Sequence, residues 1–124
     1  MRSVSFTAED LYLDGTARLG HPNDYELNFR ILMQEKRSEK PESLYKLALH
    51  HLHGYGCTRD TGLALSYFTL ASNRGCGSSS YCLYRLYEKD LSLDIALQHL
   101  QKAASQGHRF AQQLLAVNRP LTAA

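Results

Sequence analysis

The sequence predicts an all-α protein, a short right-handed solenoid of antiparallel helix hairpins. Three observations predict it. Apolar residues recur at spacings of three and four through most of the chain. Glycines punctuate these runs at hairpin intervals. No segment alternates apolar and polar residues as a half-buried strand does.

The stretch His50 to Gly75 carries the clearest unit. Gly54 and Gly56 follow a helix end and supply the permissive backbone that a tight exit needs. Asp60 can accept from the free amides at the start of the next helix. Ala64, Tyr67, Phe68 and Ala71 then lie on one helix face, and Gly75 ends it.

The other elements follow in order. Thr7 to Leu19 reads as a helix, with Thr7 and Asp10 at capping-box spacing and Gly15 weakening the run. Gly20-His21-Pro22-Asn23 is a break, and Asn23 can cap a helix that runs to about Ser38. Pro41 suits a first helical turn, and Leu44, Leu47, Ala48, His51 and Leu52 form the stripe that follows. A helix from about Ser78 to Glu88 packs through Leu83, Leu86 and Tyr87, with Ser78-Ser79-Ser80 read as capping residues. Ser92 can cap a helix carrying Ile95, Ala96, Leu100, Ala103 and Ala104, which Gly107 ends. A last helix packs Ala111, Leu115 and Phe110 inward and is closed by Pro120. The total is about seven helices.

The units repeat. Ala64, Ala71 and Gly75 recur 32 residues on as Ala96, Ala103 and Gly107. Gly75 is followed at +4 and +8 by Ser79 and Leu83, and Gly107 by Ala111 and Leu115. Ser43, Leu47 and His51 fit the same frame with Glu39 in the glycine slot. A hairpin cannot bury its apolar face alone, so such units stack. One domain therefore divides into a degenerate hairpin or cap at 1–39, repeats at 40–75 and 76–107, and a helix at 108–119.

These residues resemble the Sel-one-like repeat family, a relative of the tetratricopeptide repeats. Gly54, Gly56, Asp60, Ala64, Tyr67, Phe68, Ala71 and Gly75 meet its pattern. The second copy keeps Leu83, Tyr87, Ala96, Ala103, Ala104 and Gly107, with a turn four residues shorter and no glycine pair. The resemblance covers about residues 40–118 and implies a non-catalytic adaptor or scaffold that binds a protein or peptide. Cys57 replaces the usual Val. Tyr84 stands where the family pattern has glycine and the first copy has Ala48. The disulfide of secreted members would fall on Ser72 and Ser80, so it is not implied here.

Bulk properties narrow the function classes. The chain has 124 residues, a net charge of +2 and 44% hydrophobic residues. No Lys/Arg run exceeds two residues, which argues against nucleic acid. No stretch reaches the length of a membrane span. The N-terminus lacks the apolar segment of a secretory signal. The three cysteines, an odd and sparse set, read as free thiols of a cytoplasmic protein.

Candidate sites follow from residue type and register. Tyr45 and Tyr81 share one repeat position, which Gln113 fills in the last helix. In stacked hairpins the first helices line the concave face. A tyrosine there either meets a partner or packs between hairpins. Tyr84 and Arg85 flank the row, and aromatics and arginine dominate binding hot spots. Tyr84 favours binding because it breaks the repeat. Leu114 and Val117 point to where a further hairpin would stack, which marks a surface for self-association, as a homodimer in its simplest form. His50, His51 and His53 offer an alternative, a metal-dependent hydrolase. The preference of a helix C-terminus for histidine explains them without a metal. No cofactor and no catalytic residue is expected.

Overall fold

Turn chemistry sets the architecture. The computed structural model describes residues 16–122. Six α-helices follow one another: α1 Tyr25–Glu35, α2 Pro41–His53, α3 Thr61–Asn73, α4 Gly77–Lys89, α5 Leu93–Ser105 and α6 Arg109–Thr122. The expected first helix lies outside the described residues except for a 3-10 turn at Thr16–Leu19. Each helix packs on the next from α1 to α6, so the chain is a sequential set of hairpins. Helices α2 to α5 are each 13 residues long, and α5 begins 32 residues after α3.

Each hairpin turn contains a residue with positive φ. Gly54 and Gly56 have φ of 71° and 74°, as two glycines after a helix end predict. The Asp60 carboxylate accepts from the Leu63 amide at 3.0 Å and caps α3. After α3 the Gly75 and Cys76 amides donate back to Ser72 and Ala71 in a Schellman motif. Gly107 and His108 repeat it after α5. Glu39 does stand in the glycine slot, at φ 51°.

Three local expectations are corrected. Asn23 does not cap α1: its amide donates to His21 Nδ1 at 3.1 Å, inside a short 3-10 turn at Pro22–Asp24. Ser78 to Ser80 lie within α4, and Ser79 and Ser80 are buried against neighbouring helices. Pro120 does not end α6, which continues to Thr122. Near a helix end proline removes one backbone bond among few, so it is tolerated.

Two apolar clusters form the interior. The larger joins Leu44, Leu49, Phe68 and Ala71 to Cys82 and Leu83, and so bonds the first hairpin to the start of the second. The smaller joins Tyr81, Leu100, Ala103 and Ala111, with Leu114 and Leu115 half-buried against it.

Candidate interaction surface

Tyr81 sits at the centre of the most elaborate side-chain assembly. It lies on α4, and its ring is stacked on His108 with centroids 4.5 Å apart. Phe110, at the start of α6, meets it edge-on at 5.6 Å, and Tyr84 tilts against it at 5.8 Å. Arg85 Nη1 donates to the Tyr81 hydroxyl at 2.7 Å. His108 Nδ1 accepts from the Ala111 amide at 3.2 Å, which fixes the ring while capping α6.

Burial separates the parts of this assembly. Tyr81 and Arg85 are each 1% exposed, and Tyr45 is 0% exposed. The expectation that these three present a surface is therefore corrected: they are interior. An arginine can be buried because its stem is apolar and its guanidinium finds hydrogen-bond and ring partners. Tyr45 packs on Phe68 at 6.2 Å, beneath the Arg18 guanidinium at 5.6 Å. Both repeat tyrosines thus carry an arginine, but from different parts of the chain.

Tyr84 is half-buried, while Gln113 and Phe110 are exposed. The Tyr84 hydroxyl donates to Glu88 Oε2 at 3.0 Å. Burial, and then that carboxylate, raise its pKa well above the ordinary tyrosine value, so it stays a neutral donor. Gln113 lies one turn beyond Phe110 on α6. His108 and Phe110 were missed as site residues. The expectation that Phe110 packs inward with Ala111 and Leu115 is corrected: it is 47% exposed, with its ring set only edge-on against Tyr81.

At the other end the three histidines do not converge. His50 is buried, and its Nδ1 lies 2.6 Å from the Tyr55 carbonyl. His51 stacks on Tyr67 at 5.7 Å, and His53 stacks on Tyr55 at 5.1 Å. His51 Nδ1 lies 3.7 Å from Cys57 Sγ. Among the described residues no three His, Cys, Asp or Glu side chains come together as a metal site would require. Nor is any described helix long and apolar enough to cross a membrane.

Val117 is 72% exposed on α6, whereas Leu114 is half-buried on the smaller cluster. Leu114 therefore contributes to the core of its own chain, and only Val117 of that pair faces outward.

Comparison with known proteins agrees with the geometry. No curated protein matches the chain. The Sel1 repeat model matches twice, at residues 41–76 and 77–108, each match spanning one helix pair of the fold. With more than half its length in two such units, stacked helix pair on helix pair, the chain belongs to the Sel1 repeat family.

Proposed function

We propose that this chain is a non-catalytic adaptor that binds a protein or peptide through Tyr84, Phe110 and Gln113. Sel1 repeat modules are typically protein-interaction adaptors. The observation that carries the reading is an exposed aromatic on a rigid base. Phe110 is 47% exposed, yet it rests on Tyr81, which His108 and Arg85 hold in place. Such an anchor loses little freedom on binding, which favours affinity. Tyr81 and Arg85 act as supports in this reading rather than contacts. The proposed setting is the cytoplasm, supported by serines rather than cysteines at positions 72 and 80.

The test begins with capture of partners from the source cell by the intact chain. The captured protein is then purified and titrated against wild type, Phe110→Ala and Tyr84→Ala. Binding should weaken at least about tenfold in each variant, the loss of a hot-spot residue, with unchanged circular dichroism. Equal affinity for all three would reject this surface.

A second reading is self-association through α6. Leu49 and Arg85 occupy the repeat position of Val117 and are covered, at 0% and 1% exposure. Val117 has no such cover from the described residues. A second copy would supply it.

A further inference from the structure

The histidine-rich junction between α1 and the first repeat has a geometry that neither the adaptor reading nor the repeat pattern uses. Tyr25 of α1 stacks on Tyr55 at 4.7 Å, nearly parallel. A Cβ on Gly56 would lie 2.5 Å from the Tyr25 carbonyl oxygen, so only glycine lets the turn approach α1 this closely. His50 fills the space beneath. Its ring meets Tyr25 edge-on at 6.1 Å and Phe29 at 5.6 Å. The carbonyl of Tyr55 can only accept, so the proton of neutral His50 sits on Nδ1. Its Nε2 is buried and has no hydrogen-bond partner.

We propose that this junction is an acid-sensitive latch, in which protonation of His50 releases α1 from the first repeat. A second proton would go to Nε2, where no acceptor waits. The charge would be placed among aromatic rings, away from water. The groups facing His50 do not offset it. A cavity of about 270 Å³ beside it is lined by Lys46 of α2, Arg18 of the preceding turn and Glu35 of α1. That is two cations against one carboxylate, and Glu35 is exposed and already accepts from Ser43. His51 follows on the same helix. Cys57, beside His51, is a neutral thiol, and Arg59 beyond it adds a further cation near His53.

His53 belongs to the same junction: it stacks on Tyr55, and burial, then the Arg59 cation, lower its pKa as well. His51 stacks on Tyr67. His50 has its rings edge-on or tilted. Burial is the main cause that lowers the His50 pKa, outweighing the Tyr55 carbonyl. The sign follows. A depressed folded value means that closure is at full strength above the free value of about 6.5 and weakens as pH falls below it. With the folded value depressed, opening is favoured more at pH 5 than at pH 7.5, by at most about thirty-fold.

Hydrogen exchange on the full chain tests this, at pH 7.5 and pH 5.0 with intrinsic rates corrected. Protection across α1 should fall at pH 5.0, by several-fold and at most about thirty-fold, while α4 and α5 keep theirs. The dependence should fall more in His50→Gln than in His53→Gln, since burial lowers the pKa of both histidines but only His50 lies against both Tyr25 and Phe29. Unchanged protection in α1 would overturn the latch, as would an equal loss in every helix. Undiminished survival of the effect in His50→Gln would do the same. Should His50→Gln fail to fold, the imidazole resonances of the wild-type protein decide. A His50 titration at or above the free value rejects the latch, and one below it supports the latch.

Discussion

The hydroxyl oxygens of Ser72 and Ser80 lie 2.6 Å apart in the buried seam between the two repeats. Ser80 donates to Gln106 Oε1 at 2.6 Å, which leaves Ser72 to donate to Ser80. Gln106 Nε2 returns to the Ser72 carbonyl at 2.8 Å. The ring of bonds ties α3, α4 and the end of α5 together. Secreted members of the family are expected to place a disulfide at these two positions. Here a polar network occupies the same seam.

Ser80→Ala should therefore cost about 1–3 kcal/mol, because it strands buried partners. The adjacent Ser79→Ala should do the opposite. Ser79 Oγ is buried without a partner, and the matching residue in α6 is already alanine, Ala111, at 0% exposure. Removing an unsatisfied hydroxyl should raise stability by about 1 kcal/mol. Urea denaturation of both variants checks the pair of signs.

Leu91 breaks the rule that glycine ends these helices. Its amide and that of Ser92 donate to Glu88 and Tyr87, the Schellman pattern made by Gly75 and Gly107. Leucine there has φ 61°, which costs about 1–2 kcal/mol for a side-chain-bearing residue. It is also 81% exposed, so little packing is lost on truncation. Leu91→Gly should stabilise by about 0.5–1 kcal/mol after the greater freedom of unfolded glycine is subtracted. A lower melting temperature in that variant would contradict this account of the turn.

How much was legible follows from whether the signal was local. Gly54, Gly56, Asp60 and Gly75 act within a few residues of themselves, so they revealed the hairpin. The frame of residues four, eight and twelve past each glycine even placed Glu39 in a left-handed slot. Arg85 could not be read this way. An arginine between Tyr84 and Leu86 suggests a surface, and its burial depends on the Tyr81 hydroxyl and on the packing around it. His108 reaches Tyr81 from the turn after α5, 27 residues on, and no periodicity reports such a contact. Ser72 and Ser80 were legible as positions, while their bond to Gln106 was not.

The cysteines give a chemical test. Three thiols should titrate in the denatured, unreduced protein. In the native state Cys82, at 0% exposure, should be the last to be alkylated. Burial raises the Cys57 thiol pKa, so its reaction should speed up only as the solution becomes alkaline. Mass spectrometry of partly alkylated protein resolves the order. Early loss of Cys82 would mean that α4 opens readily.

The two residues expected to mediate self-association now separate. Leu114 packs against Tyr81, Leu100, Ala103 and Ala111. Leu114→Glu would place a carboxylate at the edge of that cluster and should cost about 2 kcal/mol or more. Val117 stands 72% clear of the chain, and Val117→Glu should change monomer stability by less than about 0.5 kcal/mol. Any loss of mass in solution caused by Leu114→Glu would thus mix unfolding with dissociation, whereas Val117→Glu isolates the surface. If a second copy covers α6, wild type should grow in mass with concentration by sedimentation equilibrium, and Val117→Glu should remain monomeric with an unchanged melting temperature. A wild-type chain that stays monomeric throughout rejects the homodimer.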